Sequence, residues 1–175
     1  MKNVIITMVA MLIMASCTDA QNKKLVVYFS ATGTTENSAR KIAEAAKADL
    51  FEIEPLERYS DADLDWRDSN SRSTVEMQDK DSRPGIKDKT LKIDRYGKIY
   101  LGFPVWWDLA PRVVNSFIEK YSLKGKTVVV FATSGGSSTR NSVKVLKETY
   151  PDVSWIDGGL MNSPTKSDIT QLLKK

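Results

Sequence analysis

The sequence predicts an α/β domain built on an open, mainly parallel sheet of five strands. Three observations point there. Apolar runs such as Leu25–Phe29 and Thr127–Ala132 lack the in–out alternation of a half-exposed strand, so they read as strands buried on both faces. Between the runs, apolar residues fall at i, i+3, i+4 and i+7, the stripe of a helix packed on a sheet. The first, third and fourth runs each end in an unusual loop: Ser30-Ala31-Thr32-Gly33-Thr34-Thr35, Pro104-Val105-Trp106-Trp107, and Thr133-Ser134-Gly135-Gly136-Ser137. Open sheets of this kind bind ligands beyond the carboxyl ends of their strands.

In chain order, Lys2 precedes a run, Val4 to Ala15, that is apolar except for Thr7, and Ala15-Ser16-Cys17 follows. This is the layout of a secretory signal. Its dozen apolar residues fall short of the roughly 20 that span a bilayer. Leu12-Ile13-Met14-Ala15-Ser16-Cys17 resembles a bacterial lipobox, which implies removal of residues 1–16 and lipidation of Cys17; ordinary signal cleavage beside a bystander cysteine is the alternative. The expected organisation is a signal over 1–16, a lipidated cysteine and polar tether over 17–23, and one domain over 24–175. The protein is then exported and held to a bacterial membrane, on its periplasmic side, through lipid only.

The first strand, Leu25–Phe29, leads through the hydroxyl-rich turn into a helix from Glu36, with Ala39, Ile42, Ala43 and Ala46 on its inner face. Leu50–Glu54 alternates and reads as an edge strand, stopped by Pro55. Residues 56–95 are polar and without a strong period, too long for a bare loop in a compact domain. One helix is expected there, around Ser71–Asp79, with Trp66 packing the insertion onto the body. Lys98–Phe103 is the third strand. In the next helix Pro111 suits the first turn, Asp108 is a candidate cap, and Val114, Phe117, Ile118 and Tyr121 form the buried stripe. Thr127–Ala132 is the fourth strand, followed by a helix with Val143, Leu146 and Tyr150 inward. Val153–Ile156 is the fifth strand. Thr165 to Asp168 reads as a capping box opening a last helix that buries Ile169, Leu172 and Leu173.

Composition removes several kinds of chemistry. The 175 residues include no histidine and one cysteine. A Ser-His-Asp triad, a histidine base, a His-ligated zinc site and a disulfide framework are therefore excluded. The charge of +4 falls to +3 once residues 1–16 are removed, and basic residues are interspersed with acids. Nucleic acid is not an expected partner. Whatever chemistry occurs is carried largely by something bound.

The strand, polar turn and helix start at 25–36 together form an anion site, where free backbone N–H groups, the positive helix end and hydroxyls converge. The turn contains no Lys or Arg and matches neither G-x-x-x-x-G-K nor G-x-G-x-x-G. It suits a single dianionic monophosphate; a plain hydrophilic turn is the bland alternative. Ser30-Ala31-Thr32-Gly33-Thr34-Thr35 resembles the T/S-x-T-G-x-T phosphate loop of the flavodoxin family. Gly102-Phe103-Pro104-Val105-Trp106-Trp107, with Thr133-Ser134-Gly135-Gly136-Ser137 some thirty residues on and Arg83-Pro84 ahead, resembles a bacterial subgroup of that family.

This resemblance covers Lys24 to Ile156. It implies a flavodoxin-like three-layer sandwich with strand order 2-1-3-4-5, and FMN as cofactor. The phosphate is expected at Ser30, Thr32, Gly33, Thr34 and Thr35. The ring is expected between Pro104, Val105, Trp106 and Trp107 on one side and Thr133, Ser134, Gly135 and Gly136 on the other. Adjacent tryptophans on a loop cannot both enter one core, so one is left for a ligand or a surface patch. Stacking on a flat ring contributes about 1–3 kcal/mol. Gly135 and Gly136 let backbone approach the ring edge, or form a plain turn.

Two departures stand out. The subgroup usually has glycine after its Trp pair, where this chain has Asp108; if that is the peptide that turns over on reduction, the one-electron-reduced ring is poorly stabilised. Electron-carrier flavodoxins are also typically acidic, whereas this domain is slightly basic. The expected function is FMN-dependent electron transfer with a redox partner protein or a small donor or acceptor. The alternatives are a cofactor-free envelope module and an FMN reductase of the NAD(P)H:quinone type.

Overall fold

The computed structural model describes residues 23–175, in which five strands and five helices alternate along the chain. They are β1 (Lys23–Tyr28), α1 (Thr34–Ala46), β2 (Asp49–Glu52), α2 (Arg72–Gln78), β3 (Tyr96–Pro104), α3 (Arg112–Tyr121), β4 (Thr127–Thr133), α4 (Arg140–Thr149), β5 (Ser154–Leu160) and α5 (Lys166–Leu173); a 3₁₀ turn, Ile93–Arg95, leads into β3. The sheet is parallel throughout, in the order β2-β1-β3-β4-β5. The expected signal and the expected lipidation site at Cys17 lie outside the described residues.

Both sheet faces are covered, which is why the strands carry no alternation. Leu25 and Val27 of β1 point into one core with Val113, Val114, Phe117 and Ile118 of α3 and Val143 and Leu146 of α4. Val26 and Tyr28 point the other way, against Ala39, Ile42 and Ala43 of α1 and Ile169 and Leu172 of α5. The result is a three-layer sandwich. Gly102 in β3 shows how tightly one face is filled, because a Cβ there would stand 2.1 Å from the Phe131 ring.

Several boundaries differ from the sequence reading. β1 begins at Lys23, inside the expected tether, because backbone pairing with β3 starts there. α1 begins at Thr34 rather than Glu36. β2 ends at Glu52, β3 extends through Pro104, and β5 runs on to Leu160. Asp108 does not cap α3; its start is at Pro111, with no side-chain cap. α2 lies where a helix was expected, capped by Ser71, and the Thr165–Asp168 capping box is present on α5.

Trp66 does not hold the insertion to the body, since it is 71% exposed. The insertion is instead closed at its neck and clamped from the domain. Leu56 N–H donates to Gly85 O and Lys87 N–H to Glu54 O, both at 2.8 Å. Lys87 and Lys89 pair with Glu54, whose carboxyl their hydrogen bonds hold at about 2. From α3, the buried Arg112 guanidinium donates to Glu76 O and Met77 O at the end of α2, satisfying carbonyls that a short helix leaves open.

Candidate functional site

The carboxyl ends of β1, β3 and β4 lie side by side and enclose a cleft of about 370 Å³. It is lined by Ser30, Ala31, Thr32, Thr34 and Thr35 from the first loop, Pro104, Val105 and Trp106 from the second, Thr133, Ser134 and Gly135 from the third, and Asn162 beyond β5. Among the described residues, no lysine or arginine lines it.

The first loop is arranged to leave donors free. Gly33, at φ 88°, takes the left-handed turn that brings the chain into α1, and no side chain caps that helix. Its own N–H is held by Ser30 Oγ at 3.0 Å, which fixes the turn. The first N–H groups of α1 lie at the positive end of the helix, an arrangement that favours negative charge. Thr32 and Thr34 are exposed beside them. Thr35 is different: it is buried, and its hydroxyl lies 2.7 Å from that of Thr133, bracing the loop against β4. Gly33 lines a neighbouring hollow behind the loop, with Glu36, Glu54 and Tyr59.

The second loop is a two-residue hairpin. Trp106 N–H donates to Leu109 O at 3.0 Å and Leu109 N–H to Trp106 O at 2.9 Å. The two central residues, Trp107 and Asp108, have φ of 46° and 64°, the double positive φ of a type I′ turn. The two tryptophans divide as the sequence required. Trp106 is half-buried in the cleft wall, edge-on to Phe29 at 5.6 Å and to Tyr59 at 5.2 Å. Trp107 is 43% exposed and does not line the cleft.

Tyr59 belongs to the insertion and is itself clasped. Its hydroxyl donates to Glu76 Oε2 at 2.5 Å, and the Arg72 guanidinium stands 4.1 Å from its ring centre while pairing with Glu76 at 2.7 Å. Burial, then the Glu76 carboxylate, push its phenol well above the usual tyrosine range.

In the third loop Ser134 Oγ accepts from Gly136 N–H at 3.1 Å and Ser137 N–H at 2.8 Å. Gly136 therefore has its donor engaged and lies off the cleft, while Gly135 lines it. Ser134 is clamped by Asn162, whose Oδ1 accepts from Ser134 N–H and whose Nδ2 donates to Ser134 O, both at 2.8 Å. Sequence reasoning overlooked Ala31, Asn162 and Tyr59. Asn162-Ser163-Pro164 is a turn cluster closing the next strand, and that placement was the available signal.

The flavodoxin family profile matches residues 23–175, the whole of the described chain. The chain belongs to the flavodoxin family. A Bacteroides eggerthii crystal structure, of a protein classed as a flavoprotein, is 54% identical; the match covers 87% of this chain and 96% of that one, with a TM-score of 0.84. Its counterpart from Bacteroides uniformis is 49% identical over 87% and 98%, with a TM-score of 0.83. A Lactobacillus acidophilus flavoprotein, solved in complex with FMN, shares the fold at 24% identity over 77% and 90%, with a TM-score of 0.64. Among curated proteins none matches the chain. In this flavodoxin the three loops stand at the strand ends where the α/β rule places a ligand.

Proposed function

We propose that this flavodoxin binds FMN in the cleft and passes electrons through it, outside the cytoplasm, anchored by a lipid on Cys17. One observation carries the cofactor assignment. An uncapped helix start and exposed hydroxyls face an apolar wall of Pro104, Val105 and Trp106, with no cationic side chain among the described residues lining the cleft. A nucleoside triphosphate would leave most of its charge unmatched there, while one phosphate monoester matches the donors available. The FMN bound by the Lactobacillus acidophilus flavoprotein supports the same choice.

Thr32 and Thr34, with the first N–H groups of α1, would hold the phosphate. Pro104, Val105 and Trp106 would form one wall for the ring, and Gly135 would supply backbone to the other side. The bound flavin supplies the electron chemistry. The protein's own part is to bind it, orient it and limit access. The electrons would pass between the flavin and a redox partner protein or a small donor or acceptor.

The test is titration of the purified chain with FMN, followed by flavin fluorescence, with Thr32→Ala alongside. Saturable quenching, weakened about tenfold or more in the variant, is expected from loss of one hydrogen bond to a charged group. A chain that is isolated colourless and quenches no added FMN overturns the assignment.

A further inference from the structure

The opposite end of the sheet, where the strands begin, has a different chemistry. A concavity of about 460 Å³ opens there, lined by Lys24, Lys98 and Lys126 against one carboxylate, Asp94. Lys126 Nζ is already committed to Tyr96 O at 3.0 Å. Lys24 and Lys98 form no ion pair among the described residues, and they stand directly opposite one another on β1 and β3. Like charges placed opposite on neighbouring strands cost stability, so this pair is not explained by folding. An anion that both can reach would remove the cost.

We propose that this basal face docks on an anionic lipid surface. Its orientation rests on the lipidation of Cys17 in the reading above. β1 starts at Lys23, at the same end of the sheet as the concavity, six residues after Cys17. Six residues reach at most about 20 Å, so an anchored chain keeps this end near the headgroups. A tether this short lets the lysines approach to within the screening distance of about 8–10 Å, where they gain from anionic lipid. β1, six residues long, rises about 20 Å from base to cleft. The cleft therefore faces water, and the electron partner is a water-soluble one, not a carrier dissolved in the bilayer.

The described residues contain the entire sandwich, and the Bacteroides eggerthii relative, 96% covered by the match, is solved as little more than this unit. The chain from Thr18 onward, without lipid, is therefore a fair probe. Its flotation with phosphatidylcholine vesicles, with and without phosphatidylglycerol, is measured at low salt. Binding is expected only with phosphatidylglycerol, and Lys24→Gln with Lys98→Gln should weaken it about tenfold. The control, Arg140→Gln with Lys166→Gln, removes the same net charge from exposed positions at the starts of α4 and α5, at the cleft end of the sheet, and should change binding by no more than about twofold. Equal losses in both double variants, or no preference for anionic vesicles, overturn the proposal. FMN quenching by each variant checks the fold. The mass of the Cys17 peptide from cells tests lipidation separately; without a lipid there, the orientation fails even where the vesicle result stands.

Discussion

Gly33 and Asp108 both occupy left-handed backbone on loops bordering one cleft, with φ of 88° and 64°. The first is the residue type that adopts this conformation freely, and the second is not. The loops differ in the same sense throughout. The loop after β1 spends the Gly33 N–H on Ser30 Oγ and leads into a helix start that no side chain caps. The loop after β3 spends its own, in the paired bonds between Trp106 and Leu109, and its turn is held from outside: Ser142 Oγ donates to Asp108 O at 3.1 Å. On the proposed reading, the first loop is completed by the FMN phosphate. The other is complete already and offers the ligand a fixed wall.

The comparison breaks most visibly at the first loop. Replacing Thr32 and Thr34 together by Ala removes two hydroxyls from the anion site and nothing from the core, since both are exposed. Each hydrogen bond to a charged group contributes about 1.5–3 kcal/mol. FMN affinity should fall on the order of a hundredfold or more, while the midpoint of urea unfolding without flavin stays within experimental scatter. Trp107→Ala, on the completed loop but off the cleft, should change affinity little. A large loss from Trp107→Ala and none from the threonines would reverse the roles assigned to the two loops.

Much of this was legible in the sequence because the fold repeats one physical rule. Unalternating strands such as Val26 to Tyr28 require cover on both faces, and the helical stripes supply it. The order of the strands came from family resemblance. Loop chemistry was readable where residue type alone carries it, as with the hydroxyls of the first turn. It was not readable where a neighbour distant in sequence decides the outcome. Nothing near Ser134 tells that Asn162, 28 residues on, clamps it. Trp66 misled for a related reason: a lone aromatic in a polar stretch suggests an anchor, but Arg112 and Tyr59 already perform that role.

Tyr59 sharpens the picture of the second loop as a braced wall. Its phenol is held neutral by burial and by its bond to Glu76. A tyrosine raised above its unfolded value near 10 contributes stability that is full below pH 10 and is lost as pH rises toward the folded value. Between pH 9 and 11.5, wild type should therefore lose stability more steeply than Tyr59→Phe, by up to about 1.4 kcal/mol per pH unit at the upper end. Tyr28, Tyr96 and Tyr150, pushed up to about 12, titrate in both proteins and cancel in the difference. Urea unfolding at each pH gives the slopes, and identical slopes would mean that neither burial nor the Glu76 clasp raises the phenol.

The outside support of the hairpin should be worth less. Ser142→Ala removes the nearer of two donors to Asp108 O, leaving Asn141 Nδ2 at 3.5 Å, and Ser142 is itself buried. A neutral hydrogen bond of this kind contributes about 1 kcal/mol. The loss should appear in unfolding without flavin, and FMN affinity should fall only as far as the Trp106 wall loosens.

The smallest effect tests the backbone itself. Asp108→Gly relieves a left-handed residue, a gain of roughly 1 kcal/mol, but gives the unfolded chain more freedom, a cost of about 0.5–1 kcal/mol. The net change should lie within about 0.5 kcal/mol of zero, so the single variant says little by itself. Combined with Ser142→Ala it says more. Ser142 binds the carbonyl of residue 108, which glycine also possesses, so the geometry predicts that the cost of Ser142→Ala is the same in both backgrounds. If glycine instead lets the turn escape to another conformation, the Ser142 bond is what selects the present one, and the two changes will be coupled by more than the roughly 0.5 kcal/mol that separates additive from interacting sites. Additivity means that the hairpin bonds alone fix the wall; coupling means that α4 holds it in place.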